Sequence, residues 1–144
     1  MWIEDAEYQR IVESMPIPTV DALLVFQGKF LLLKRVNPPV KGEWWLPGGR
    51  VRKGEALEDA VKREVLEETG LKGRIIRQVG VINQIFAAVH TISVYYLVAA
   101  ESAEVTLNAE HSAYCWVTRL PKGSHPYLQT MIAAAGLPTD AGNG

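Results

Sequence analysis

Residues 49–71 read GRVRKGEALEDAVKREVLEETGL, and the fold follows from where this stretch puts its acids. Leu57, Ala60 and Val61 recur at helical spacing and predict an apolar stripe on a helix over about 56–69. At about 100° per residue, Glu64 and Glu68 continue that stripe. Carboxylates therefore stand where the pattern predicts core, with Glu67 beside them and Arg63 just before. Like charges three and four residues apart repel on a helix. Burying an unpaired carboxylate is costly, and neighbouring carboxylates raise each other's pKa. A bound divalent cation removes both penalties. Hard oxygen donors suit magnesium or manganese, which keep other coordination positions for water and phosphate. The plainer reading, a solvated acidic face, does not explain acids on the apolar stripe.

The flanks fit the same helix. Glu58 and Asp59 place negative charge in its first turn, favourable to the dipole, and Gly70 suits the left-handed residue that ends it. Gly48-Gly49 allows a tight backbone turn and close approach to a phosphate or metal.

The whole stretch resembles the Nudix box, G-x5-E-x7-R-E-U-x-E-E-x-G-U with U aliphatic. Gly49, Glu55, Arg63-Glu64, Val65, Glu67-Glu68, Gly70 and Leu71 fill every fixed position. The resemblance implies an α/β Nudix fold, an α/β/α sandwich with a mixed β-sheet and a loop-helix-loop box. It implies a hydrolase acting on a nucleoside diphosphate linked to another moiety, with Mg2+ or Mn2+ held by Glu64, Glu67 and Glu68. Arg63 would orient a glutamate, and Glu55 would be its structural partner rather than a ligand.

Beyond the box, the chain is similar to the GDP-mannose mannosyl hydrolase branch. The features are a helix ending in Ser-x-Pro, Asp21 in the first strand, FLLLKRVNPPVKGEWWLPGGRV at 30–51, and His111 three residues before Tyr114-x-Trp116. That resemblance implies a nucleotide-sugar substrate such as GDP-mannose. Asp21 would contact the substrate, and Tyr95 (or Tyr96, one step on) would meet the leaving group. Glu110 would add a metal ligand from outside the helix, with Gly48 at the metal turn. Arg35 and Arg50 are suited to clamp a diphosphate, since guanidinium pairs with phosphate in a two-pronged geometry. His111, with a reference pKa near 6.5, is the candidate general base. In that branch the box has lost a glutamate and water attacks the sugar carbon. Here the box is complete, so attack on phosphorus stays open. A homodimer with the N-terminal segment near the partner subunit is also implied.

Composition sets outer bounds. A chain of 144 residues predicts one domain, 1–144, with 136–144 at most a loose tail. Fifteen basic and 16 acidic residues give a net charge of −1, which argues against a nucleic-acid coat or polybasic membrane binding. There is no basic, apolar leader-like start, and the apolar run 81–100 is broken by Asn83, Gln84, His90, Thr91 and Ser93. A cytoplasmic protein is expected. Cys115, the single cysteine, reads as a small packed residue.

Along the chain, 2–14 predicts a helix stopped by Pro16 and Pro18. Strands are predicted at 19–26 and 30–35, joined by a Gln27-Gly28-Lys29 turn, then at 44–46, 75–84, 91–100 and 114–118. Residues 36–43, with Pro38-Pro39, form a loop. Ser124 is the expected cap of a last helix running to Ala135, with Pro126 in its first turn and Gly136 past its end. One of Trp44 and Trp45 should pack in the core, and His90 and His125 read as surface or packing residues. Two other functions stand beside the nucleotide-sugar reading: a pyrophosphohydrolase of non-standard nucleoside triphosphates, and a nucleotide-sensing module without catalysis.

Overall fold

A computed structural model describes residues 3–139. Among the described residues, three helices and seven strands follow one another as α1 (Asp5–Ser14), β1 (Ile17–Phe26), β2 (Lys29–Arg35), β3 (Trp44–Trp45), β4 (Gly48–Arg50), α2 (Leu57–Thr69), β5 (Gly73–Ile85), β6 (His90–Ala100), β7 (His111–Val117) and α3 (Pro126–Ala134). The strands join in one mixed sheet. Its main path is β3-β2-β1-β6-β5, with β4 also on β1 and β7 also on β2. β1 and β6 run parallel from Ile17↔Thr91 to Val25↔Ala99, while β1–β2, β2–β7 and β5–β6 are antiparallel.

Strand alternation builds two cores, one on each face of the sheet. Ala22, Leu24, Leu31, Leu33, Tyr96 and Val98 pack under α2 against Ala60, Val61 and Val65. The intervening residues Leu23, Phe30, Leu32 and Tyr95 pack under α3 against Leu128, Met131 and Ile132. Nearly continuous apolar runs in β1 and β2 are what a sheet covered on both faces requires. The result is the expected α/β/α sandwich.

β1 forks its pairing. Val25 and Phe26 pair with β2, but Thr19, Val20 and Asp21 pair with Arg50, Gly49 and Gly48 of β4. Beside the split lies a cleft between Arg35 at the end of β2 and Arg63, Glu64 and Glu67 of α2. Loop 36–43 forms its rim and is closed at its base by Arg35 N–H to Glu43 O and Gly42 N–H to Arg35 O.

Several expectations shift at the edges. Leu57, expected on the apolar stripe, is 38% exposed, so burial on α2 begins with Ala60 and Val61. β7 starts at His111 rather than Tyr114, because it pairs with β2 as far as Arg35↔His111 through a bulge. Ser124 does not cap α3. His125 does, its Nδ1 accepting from Tyr127 N–H at 3.1 Å, while Ser124 Oγ bonds Pro121 O. The start of the expected tail is tied down: Leu120 N–H donates to Pro138 O and Leu120 bridges Thr139. The rest of it, 140–144, lies outside the described residues, as does Trp2 of the expected first helix. α1 has no buried residue. Among the described residues, no helix is long and apolar enough to cross a membrane.

Candidate active site

The floor of the cleft is formed by Arg63, Glu64 and Glu67 of α2 beside Gly48–Arg50 of β4. Glu64 is 9% exposed and Glu68 1%, as the stripe predicts, while Glu67 stands out at the surface. Arg63 organises the group. Its Nε and Nη2 grip Glu55 at 2.7 and 2.9 Å, Nη1 meets Glu64 at 2.7 Å and Glu67 at 3.3 Å, and Nη2 also donates to Arg50 O at 3.0 Å. A planar fork with five donors makes this possible, and lysine has no equivalent. The pairing holds the Glu55 carboxyl down at about 2 and pushes the Arg63 guanidinium well up. Glu55 thus takes the structural place expected of it.

Gly49 lies directly under Glu64. A Cβ built there would come 2.6 Å from Glu64 Oε1, so no side chain fits while Glu64 keeps its place. Gly48 N–H donates to Glu68 Oε2 at 2.8 Å. The other oxygen, Glu68 Oε1, is buried without a protein partner. Burial, then the nearby Glu64 charge, raises the Glu68 carboxyl well above its ordinary value. Burial raises Glu64 also, partly offset by Arg63.

The expected three-glutamate ligand set is only partly what converges. Glu64 and Glu67 line the groove, yet each gives an oxygen to Arg63, and Glu67 also meets Arg52 at 3.5 Å. Among the described residues, the donors that gather are those of Glu68, Glu110 and His111, one atom of each within 4.8 Å of the others. His111 is 5% exposed; its Nε2 has no partner and its Nδ1 lies 3.4 Å from Asn108 Oδ1. Burial, with Arg35 nearby, lowers its imidazole to about 4. Orphaned buried donors of this kind fit a divalent cation: they are costly unless a ligand satisfies them.

The cleft has two connected parts. The charged groove holds Glu64, Glu67 and Glu110 together with Arg35, Arg50, Arg52 and Arg63. Through Arg35 and Gly48–Arg50 it continues into a pocket walled by Trp45, Leu46, Phe86 and Val89, with Thr19, Asp21, Gln84 and Thr91 supplying polar groups. Asp21 is buried there, accepts a hydrogen bond from Ser93 Oγ, and is pushed up to about 6 by desolvation. Arg35 Nε donates to Pro39 O, and the Arg50 guanidinium lies 5.0 Å over the Tyr8 ring. The structure therefore brings Arg63, Glu64, Glu67, Glu110, Asp21, Arg35, Arg50 and Gly48 to line one cleft, with Glu68 and His111 buried beside it against Gly48 and Glu110.

It does not bring Tyr95. That side chain is 4% exposed in the core under α3, its hydroxyl packed against Gly80, and it lines neither part of the cleft. Tyr96 faces the other core and bonds Gln78. β-alternation sends both inward. Sequence reasoning overlooked Arg52, Gln84, Phe86 and Tyr8. Arg52 was visible as a second arginine beside the glycine turn; the others come from distant elements and left no local signal. Of the two tryptophans, Trp45 is the packed one, edge-on to Phe86 and His125.

The profile of the NUDIX domain matches residues 15–120. The chain belongs to the NUDIX family. As a NUDIX hydrolase, it shares 29% identity over 140 residues with the low-salt glycan biosynthesis protein Agl8 of Haloferax volcanii, covering 92% of this chain and 90% of that one. It is 35% identical over 111 residues to an ADP-ribose pyrophosphatase of Methanocaldococcus jannaschii, 74% of this chain and 66% of the other. Among solved structures, the MutT NUDIX hydrolase of Burkholderia pseudomallei superposes with a TM-score of 0.75 at 31% identity, covering 84% of this chain and 98% of that one. The NUDIX domain of Shewanella oneidensis NrtR, solved with ADP ribose, gives 0.70 at 25% identity over 93% and 97%.

Proposed function

We propose that this NUDIX hydrolase cleaves a nucleotide sugar in a divalent-metal-dependent reaction, with Mg2+ or Mn2+ as the cation and a GDP-mannose-like compound as the substrate. One observation carries the reading: a groove of acids and arginines opens directly into a pocket with aromatic walls and polar floor groups. A diphosphate flanked by ring systems has that layout. Supporting it, one relative is named for glycan biosynthesis, and others act on or bind ADP-ribose, itself a nucleoside diphosphate joined to a sugar.

In this reading Arg35 and Arg50 grip the diphosphate in two-pronged contacts. Glu68 and Glu110 would hold the cation, with Glu64 and Glu67 close by and Gly48 at the turn. Bound there, the cation neutralises negative charge developing on the diphosphate. Arg63 fixes Glu64 through the Glu55 fork. Trp45 and Phe86 receive a ring, and Asp21 takes a hydroxyl or amide of the same moiety. His111, expected as the base, is a weak one at about 4. The complete set of box glutamates supports release of a nucleoside monophosphate and a sugar phosphate by attack on phosphorus.

A panel of nucleotide sugars, dinucleotides and non-standard nucleoside triphosphates, assayed by product chromatography with and without metal, tests the proposal. Metal-dependent loss of a nucleotide sugar supports it. Turnover confined to triphosphates, giving pyrophosphate and a monophosphate, replaces it with the pyrophosphohydrolase reading. Hydrolysis in oxygen-18 water locates the attack: label enters the phosphate product for attack on phosphorus and the free sugar for attack on carbon.

A further inference from the structure

We infer that His111 is a nitrogen ligand to the divalent cation, completing with Glu68 and Glu110 a mixed N/O site that selects Mn2+ and Co2+ over Mg2+. The inference deepens the metal-dependent reading above and rests on it.

Three independent observations carry it. The first is convergence: one donor atom from each of the three residues lies within 4.8 Å of the other two. Two donors on one ion at about 2.2 Å stand at most about 4.4 Å apart. Neighbouring donors on such an ion stand about 3.1–3.8 Å apart, so side-chain motion on the order of an ångström closes the set. The second is orphanage. Glu68 Oε1 and His111 Nε2 are both buried without a protein partner, at residues 1% and 5% exposed. Two such atoms on residues whose donors converge are difficult to explain by packing, since each forgoes hydration for nothing. The third is orientation. Gly48 N–H takes the other Glu68 oxygen, and Asn108 Oδ1 stands beside His111 Nδ1. Each support leaves the orphan atom as the free donor, the arrangement in which neighbours aim metal ligands.

Glu110 is the exposed member and also lines the groove, so the site is reachable from the diphosphate. The strand register explains why His111 is held so firmly. It opens β7 opposite Arg35, where the ladder to β2 shifts by a bulge that re-aims the side chain. Imidazole nitrogen binds Mn2+, Co2+ and Zn2+ readily, whereas Mg2+ strongly prefers oxygen. One nitrogen in the set is the difference that tells these cations apart.

The test uses the full chain stripped of metal. Mn2+ is added, and pulsed electron paramagnetic resonance reads nitrogen coupling to the bound ion. Calorimetry gives Kd for Mn2+ and Mg2+. The inference expects nitrogen coupling in the wild type and its loss in His111→Gln. It also expects Kd for Mn2+ to rise about tenfold in that variant while Kd for Mg2+ moves less than about threefold. Should His111→Gln fail to fold, the wild-type spectrum decides alone. Bound Mn2+ without nitrogen coupling overturns the inference, and a nucleotide sugar still turned over in that case leaves the proposed function standing. Nitrogen coupling in a protein that turns over no nucleotide sugar does the reverse.

Discussion

Gly49→Ala separates the roles of fold and site at the floor of the cleft. The new Cβ would lie 2.6 Å from Glu64 Oε1, 2.7 Å from Cδ and 2.8 Å from Oε2. Ordinary contact begins near 3.4 Å, so about 0.8 Å must be found (3.4 less 2.6). The obstructing atoms are the tip of a flexible side chain, and it is the carboxylate that gives way. Moving it directly away by that distance lengthens its 2.7 Å contact to Arg63 Nη1 to about 3.5 Å (2.7 plus 0.8), the outer limit of a hydrogen bond. Losing one charge-assisted bond costs about 1.5–3 kcal/mol, and replacing glycine returns about 0.4–1 kcal/mol by restricting the unfolded chain. The net loss is about 1–2 kcal/mol, or roughly 2–8 °C in Tm for a chain of this size. Turnover should fall far more, about a hundredfold, because ångström-scale misplacement at a reacting centre has that effect. The assay pairs thermal unfolding with metal-dependent hydrolysis of the substrate found by the panel. Wild-type turnover in a folded Gly49→Ala protein would refute the reasoning. Gly48→Ala is the control with the opposite outcome: its Cβ meets the Val20 carbonyl and Asp21, backbone that cannot swing aside, so unfolding should come first.

Further outcomes follow from the same contacts. Arg63→Lys keeps the charge but loses the fork to Glu55 and the reach to Arg50 O; turnover should drop by about 10–100-fold, with a rise in kcat-limiting rather than KM-limiting effects, as steady-state kinetics would show. Glu68→Gln removes a buried charge with an orphan oxygen, so the metal-free protein should gain about 1 kcal/mol in urea unfolding while losing hydrolysis; a destabilised variant would contradict this. Glu55 is depressed from 4.5 to about 2 on folding, so its ionised form favours the fold. That contribution is complete above about pH 4.5 and is lost as pH falls through about 2. Being at the surface of the cleft it is worth about 1 kcal/mol, and the urea-midpoint gap between wild type and Glu55→Gln should close between pH 5 and 2. His125→Ala loses the α3 cap and the ring contacts to Trp45 and Phe86, and should cost about 1–2 kcal/mol by the same unfolding measurement.

The helix that decides the fold was readable to within a residue, because acids on an apolar stripe and a glycine at its end are local signals. Burial of Glu64 and Glu68 was legible for the same reason, while the partnership of Arg63 with Glu55 came from the resemblance to the Nudix box. β7 was read three residues short: His111 joins the strand only through a bulged pairing with β2, and nothing near it in sequence reveals that ladder. Tyr95 was placed in the cleft by resemblance, but the side a strand residue faces depends on a register set by β1 and β5. The convergence of His111 on Glu68 spans 43 positions and was hidden for that reason. Ser124 was the better cap by residue type, yet His125 holds the place because its ring also packs between Trp45 and Phe86.

The divided allegiance of β1 has a consequence for how such a protein diversifies. Its first half carries the hydrolytic floor, and its second half anchors the β-ladder whose far end supplies the rim, a loop held by backbone bonds at its base and by Val36 N–H to Glu110 O. Exchange within residues 36–43 can therefore redraw the doorway while the chemistry behind it keeps its alignment. A lineage, or a library confined to those eight positions, has room to try new cargoes without recalibrating the machinery that cuts them.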